Sequence, residues 1–160
     1  MTLQGLTAQV LLRQVYKVSK GETILVHAAA GGTGLILCQW ASAIGATVIE
    51  AVPSEEKAAI ARAHGCHHTI LYTKQDFVAE VNRITGGQKL PVVYDSVGQE
   101  TFLRSLDCLR PRRMMVTFGQ SSSGTVRINV NQRYPLVAVA RAHVDLEQRR
   151  TTGSTVLLPQ

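Results

Sequence analysis

An α/β fold, doubly wound around a mainly parallel sheet with helices on both faces, follows from three features of the chain. Short β-branched apolar runs alternate with amphipathic stretches of about ten residues, glycines punctuate the alternation, and one strand-to-helix junction is crowded with glycine. The opening helix rests on Leu6, Val10, Leu11, Leu12 and Val15, which recur at helical spacing up to Ser19, Lys20 and Gly21. Thr23 to Ala28 is a continuous apolar run broken only by His27, the pattern of a strand buried on both faces. A helix is expected from Gly34 to Ile44, closed by Gly45, and a second strand from Thr47 to Val52.

Ser54 caps the next helix, which runs from Glu55 to about His64, stops at Gly65 and delivers the chain to a strand from Thr69 to Tyr72. The unit recurs as a helix from Gln75 to Ile84, a strand from Val92 to Tyr94, a helix from Glu100 to Leu109 and a strand from Met114 to Phe118. Such alternation implies parallel βαβ units with right-handed crossovers. Ser121 to Gly124 then reads as a linker, followed by an alternating run from Val126 to Val130, a helix from Leu136 to Arg149 and a strand from Thr155 to Leu158. The organisation predicted is a nucleotide-binding domain over 1–124 and a tail over 125–160.

The 160 residues suit one domain with a substantial core, and 45% hydrophobic against 18% charged residues excludes a disordered chain. A net charge of +6 fits nucleic acid, a membrane surface or an anionic small ligand. The basic residues are scattered, with short clusters at Arg110, Arg112, Arg113 and at Arg149, Arg150 and no aromatic-interleaved patch, which disfavours nucleic acid. Cys38, Cys66 and Cys108 are odd in number and lack CxxC spacing, so a reducing cytoplasm is expected rather than disulfides or a zinc site. With no leader-like start and no apolar run near membrane-spanning length, a soluble, unprocessed protein is expected.

The junction His27-Ala28-Ala29-Ala30-Gly31-Gly32-Thr33-Gly34 lies between an expected strand and an expected helix, the setting of a dinucleotide fingerprint in a Rossmann-type fold. Ala30, Gly31, Gly32, Thr33 and Gly34 are the candidates. Gly31 lets backbone approach a pyrophosphate, Gly34 allows close helix packing, and free N–H groups at the helix start meet the phosphate charge. A tight turn with no ligand is the alternative. At the end of the second strand an acidic side chain would hold the ribose hydroxyls of NAD; Val52 stands there, and Ser54 and Lys57 follow with a hydroxyl and a cation suited to a 2′-phosphate. NADPH is therefore the expected cofactor, with Tyr72 alongside the same phosphate. Ser96 and Val97, and Phe118 and Gly119, end the fourth and fifth strands and are expected to line the nicotinamide and ribose path. Asp95 either contacts ligand or caps the following helix. A carboxylate at Glu50 pointing toward the cofactor would weaken binding through like-charge repulsion. His27, His64, His67, His68 and His143 form no metal-ligand array, and His67 and His68 are expected to face opposite ways.

Ala-Ala-Ala-Gly-Gly-Thr-Gly at 28–34, Ser-Glu-Glu-Lys at 54–57, Tyr-Asp-Ser-Val-Gly at 94–98, Ser-Leu-Asp-Cys-Leu at 105–109, Met-Met-Val-Thr-Phe-Gly at 114–119 and Gln-Gly-Leu-Thr-Ala-Gln at 4–9 resemble the zinc-independent, zeta-crystallin-like quinone oxidoreductases of the medium-chain dehydrogenase/reductase superfamily. The resemblance implies NADPH-dependent reduction of quinones and related conjugated carbonyls, the nicotinamide held between this domain and a catalytic domain, with Thr7 and the backbone after Phe118 positioning it. It also implies that a front catalytic domain and an internal block have no counterpart here, and that the tail is similar to the family's return segment to the catalytic domain. Pro53 departs from the family's pattern, as does Glu50. The alternatives are an NADPH-binding module without turnover and a basic, RNA-binding interaction protein. The sheet edge left open by the missing segments predicts a homo-oligomer, such as a dimer.

Overall fold

The structure is a computed structural model that describes residues 2–27, 30–119, 130–148, 150 and 154–158. It forms two compact units, Met1–Thr125 and Val126–Gln160.

In the first unit, helix α1 (Thr2–Val10) runs into a π-helical turn over Leu11–Val15, closed by Tyr16 N–H donating to the Leu11 carbonyl at 3.2 Å. The widened turn places both Leu11 and Leu12 in the core. Strands β1 (Thr23–His27), β2 (Thr47–Val52), β3 (His68–Leu71), β4 (Leu90–Asp95) and β5 (Leu109–Thr117) pair in the order β3-β2-β1-β4-β5, all parallel. Between them run α2 (Gly32–Ile44), α3 (Glu55–Ala63), α4 (Phe77–Ile84) and α5 (Phe102–Leu106). The sheet is doubly wound, as the alternation of patterns predicts.

The continuous apolar run of β1 divides between the two faces. Ile24 and Val26 join Leu12, Leu37, Cys38 and Val48 on one side, while Leu25 joins Ile49, Ile70, Phe77 and Val81 on the other. Burial on both faces removes the polar alternation that a half-exposed strand would need.

Several boundaries differ from expectation. Helix α2 begins two residues earlier than Gly34, and β4 extends to Leu90 and Asp95. The helix expected from Glu100 to Leu109 is shortened to Phe102–Leu106, because Leu109 already pairs with Leu90 in β5. Strand β5 then bulges: Leu90 pairs with Leu109 but Val92 with Met114, so the four residues from Arg110 to Arg113 stand opposite Pro91 alone. Arg112 sits at φ +61° within the bulge. Helix α4 is capped by Asp76, whose carboxylate accepts from the Val78 and Ala79 N–H groups at 2.9 and 3.4 Å.

Gly65 ends the α3 connection at φ +91°, and an added Cβ would lie 2.9 Å from the Ser42 Cβ of α2. Gly65→Ala is expected to destabilise the unit by about 2 kcal/mol, read as a lower urea midpoint at unchanged slope. A midpoint equal to that of the parent chain would contradict this packing.

In the second unit, β6 (Val130–Pro135) leads through a 3-10 turn at Leu136–Ala138 into α6 (Val139–Glu147), and β7 (Ser154–Leu158) pairs parallel to β6. The alternating run expected at Val126 to Val130 lies outside the described residues except for Val130, which opens β6. The helix expected from Leu136 to Arg149 starts as 3-10 and ends at Glu147. The Tyr134 hydroxyl donates to Asp145 at 2.8 Å and ties β6 to α6. Among the described residues no helix is long and apolar enough to cross a membrane.

Candidate functional site

The strand order reverses at β1: β2 and β3 lie to one side, β4 and β5 to the other, so the carboxyl ends of β1 and β4 flank a crevice. A cleft of about 410 Å³ opens at this edge, lined by Ala30, Gly31, Glu50, Ala51, Val52, Pro53, Lys57, Tyr72, Val97 and Glu100.

Five sequence candidates, Ala30, Gly31, Lys57, Tyr72 and Val97, come together in its wall. Ala28 and Ala29 lie outside the described residues. Gly31 is the N-cap of α2 in extended backbone with no side-chain cap, and its carbonyl accepts the first helical bond, from Leu35 N–H at 2.9 Å. The N–H groups of Gly32, Thr33 and Gly34 thus begin the helix uncapped by a side chain, where the helix dipole favours negative charge. Gly34 is buried, as close packing of α2 on the sheet requires. The Gln4 side chain of α1 lies over Gly32, where an added Cβ would make it shift, a contact that a polar residue on an amphipathic helix does not announce in the sequence.

Ser54 does cap α3, its hydroxyl accepting Lys57 N–H at 3.4 Å. Lys57 itself is exposed and reaches the cleft. Tyr72 is exposed and lines the same cleft, its phenol pKa raised first by desolvation and then by Glu100. Ser96 donates to the His27 carbonyl at 3.3 Å and ties β4 to β1. Phe118 packs on the core, and its N–H donates to the Asp95 carbonyl at 3.0 Å. Gly119 passes so near β4 that an added Cβ would stand 3.1 Å from the Ser96 Cβ. Thr7 is not in the cleft wall; its hydroxyl donates to the Leu3 carbonyl within α1 at 2.9 Å.

Three further polar residues near the carboxyl edge of the sheet are held by specific bonds. Asp95, expected to contact ligand or to cap the following helix, is fully buried, and Oδ1 accepts from Val97 N–H at 2.7 Å and Gly98 N–H at 3.1 Å, while the N-cap of α5 is Thr101. The Thr101 hydroxyl lies 3.0 and 2.9 Å from its two oxygens. Glu50 is also fully buried, and Oε1 accepts the Ala30 N–H at 2.9 Å, so its carboxylate points at the glycine-rich turn. His67 Nδ1 accepts Val48 N–H at 3.1 Å, which turns that ring onto β2.

His27 is the group that sequence reading passed over. Its Nε2 lies 2.8 Å from Ser105 Oγ, its ring meets Phe77 edge-on at 5.1 Å, and its buried Nδ1 has no hydrogen-bond partner. Burial lowers its pKa to about 4, outweighing the opposing pull of Asp95, and leaves a neutral imidazole beneath the switch point.

The turn, the uncapped start of α2, Lys57 and Tyr72 fit a phosphate-bearing dinucleotide, and Val52 places no carboxylate where one would exclude a 2′-phosphate. Glu50 and Glu100 border the same cleft. Among the described residues no three His, Cys, Asp or Glu side chains converge in a group that could hold a metal ion.

Comparison with known proteins agrees with this geometry. The zinc-binding dehydrogenase family matches residues 32–156. A quinone oxidoreductase of Pseudomonas aeruginosa is 43% identical over 98% of this chain and 62% of its own length. A 2-haloacrylate reductase of a Burkholderia species is 40% identical over the whole chain and 62% of its own length. The crystal structure of Escherichia coli quinone oxidoreductase complexed with NADPH superposes with a TM-score of 0.74 at 38% identity, covering 98% of this chain and 63% of the other. The chain thus spans about 62% of the length of these curated relatives. The first alignment runs over 203 positions against a chain of 160 residues, so at least 43 positions of that relative have no counterpart within the matched region. Fold, switch-point cleft and sequence similarity together place the chain in the zinc-binding dehydrogenase family, among the quinone oxidoreductases of the medium-chain dehydrogenase/reductase superfamily, as their cofactor-binding portion.

Proposed function

We propose that this chain holds NADPH for the reduction of a quinone or related conjugated carbonyl. The observation that carries the reading is the cleft at the switch point, where Lys57 and Tyr72 adjoin a β2 end occupied by Val52 rather than by a carboxylate. Lys57 and Tyr72, with Ser54 beside them, take the 2′-phosphate, and the backbone from Ala30 through Gly31, Gly32, Thr33 and Gly34 receives the pyrophosphate. Ser96, Val97, Phe118 and Gly119 line the nicotinamide side, with Thr7 positioning it. When bound, NADPH supplies the hydride; the chain's own part is binding and orientation, for which no acid or base within the cleft is required.

Solved relatives complexed with NADPH support the cofactor, and relatives named quinone oxidoreductase support the substrate class. The organisation remains the nucleotide-binding domain over 1–124 with a return segment over 125–160. A cytoplasmic location accords with three buried, unpaired cysteines, and a homo-oligomer with β5 as the border strand of the sheet among the described residues. The second reading, a nucleotide-binding module without turnover, draws on the relatives' positions that have no counterpart here.

Calorimetric titration with NADPH and NADH tests the reading. The expected result is preference for NADPH, with Lys57→Ala weakening NADPH by about tenfold and leaving NADH unchanged, since a charge-assisted phosphate contact contributes on the order of 1.5 kcal/mol. Equal affinity for both nucleotides would overturn it. NADPH binding without quinone turnover would favour the second reading.

A further inference from the structure

Helix α1 packs against α2 along a seam of small and apolar side chains. Ala8, Leu11 and Leu12 are buried there in one cluster with Leu37, Cys38 and Ala41 of α2. Side chains four apart share a helix face, so the line from Leu12 through Ala8 continues one turn back to Gln4, where a primary amide replaces an apolar group. That amide stands at the start of α2. Of the atoms that a Cβ added at Gly32 would meet, Gln4 Nε2 is the nearest, followed by Cδ at 2.8 Å and Oε1 at 3.1 Å. Gln4 and Gly32 are both exposed, so a ligand at the turn can reach them.

The side from which Gln4 approaches is fixed by the sheet. Helix α2 carries the chain from β1 to β2, towards the part of the cleft where Lys57 and Tyr72 lie. Helix α1 is tied to the opposite side: β4 pairs with β1 away from β2, and the Tyr94 hydroxyl of β4 donates to the Leu11 carbonyl at 3.1 Å. Gln4 therefore meets the glycine-rich turn from the β4 side. A dinucleotide brings two linked phosphates to such a turn, whereas the N–H groups of one helix start point along a single axis, which suits one phosphate better than two. A carboxamide offers two N–H donors and no charge.

Resting on the dinucleotide reading above, we propose that the Gln4 side-chain amide binds the nicotinamide-half phosphate of the cofactor, while the start of α2 holds the adenosine-half phosphate. The chain then recognises the diphosphate link itself, and not only the adenosine half with its 2′-phosphate. Gly32 serves the same contact, because a position without a Cβ lets the amide close on the turn.

The test is calorimetric titration of the full chain, Gln4→Leu and Gln4→Glu with NADPH and with adenosine 2′,5′-bisphosphate. The bisphosphate carries the 2′-phosphate and the adenosine-half phosphate but no nicotinamide half. Gln4→Leu keeps the side chain's reach along the seam and removes its donors. It is expected to weaken NADPH by about tenfold and to leave the bisphosphate unchanged, since only NADPH loses a hydrogen bond to a charged group. Gln4→Glu sets a carboxylate against the phosphate and should weaken NADPH further, the added loss shrinking as salt is raised. Should Gln4→Leu fail to fold, Gln4→Glu decides by the same comparison. Equal weakening of both ligands would mean that Gln4 only shapes the turn, and overturns the proposal. NADPH binding by the variants at the strength of the parent also overturns it and leaves the NADPH reading intact. If the parent binds neither ligand, that reading falls and this contact with it.

Discussion

Asp95→Ala is expected to lower the unfolding free energy by about 4 kcal/mol, since each lost hydrogen bond costs about 0.5–1.5 kcal/mol and each buried donor left without its acceptor adds about 1–3 kcal/mol. The Val97 and Gly98 N–H groups and the Thr101 hydroxyl all converge on this carboxylate. Urea unfolding of the parent, Asp95→Ala and Asp95→Asn measures the effect. Asn retains one acceptor oxygen and should fall between the other two. A loss below about 1 kcal/mol for the alanine variant would mean that the loop after β4 does not depend on this brace. Because Ser96 and Val97 ride on the same loop, nucleotide affinity should fall together with stability.

The second large effect is a loss of stability on acidification through His27. Its folded pKa, about 4, lies below the unfolded value of 6.5, so the unfolded chain binds the proton more tightly. Its stabilising influence is thus complete above pH 6.5 and disappears progressively down to pH 4, amounting to about 3 kcal/mol. The ring has nowhere to place a second N–H: Nδ1 lacks a partner, and across the Phe77 ring lies Arg104, its guanidinium 4.6 Å from the ring centre. Unfolding free energies measured from pH 7 to pH 4 should fall more steeply for the parent than for His27→Gln, which cannot titrate. Identical slopes would show that His27 is not the group responsible.

The strands and most helix ends were legible in the sequence because local chemistry sets them. Thr47 to Val52 is mostly β-branched and apolar, interrupted by Glu50, Gly45 closes α2 in the left-handed region, and Ser54 caps α3 as its type and place suggest. The start of β5 was not legible: Pro111-Arg112-Arg113 reads as a loop, and only pairing with β4 across the bulge makes Leu109 a strand residue. The shortened α5 has the same origin. In the candidate site, the glycine turn, Lys57 and Tyr72 could be located from their order along the chain. The bonding of Glu50 and His27 could not, since their partners Ala30 and Ser105 are 20 and 78 residues away and adjacency exists only after the sheet has formed. A buried polar residue discloses its type in sequence and its role only in three dimensions.

The bulge in β5 also bears on aggregation. An unbroken nine-residue border strand would present a long ladder of unpaired amides to any passing extended peptide, the usual seed of sheet-to-sheet growth. Here the irregular stretch at Arg110 to Arg113 interrupts the ladder, and a proline together with exposed guanidinium groups repels a like-charged copy. Regular docking length is left only over Met114 to Thr117. Any association through this border is therefore confined to a short segment, which favours a discrete, reversible contact over an extending fibre.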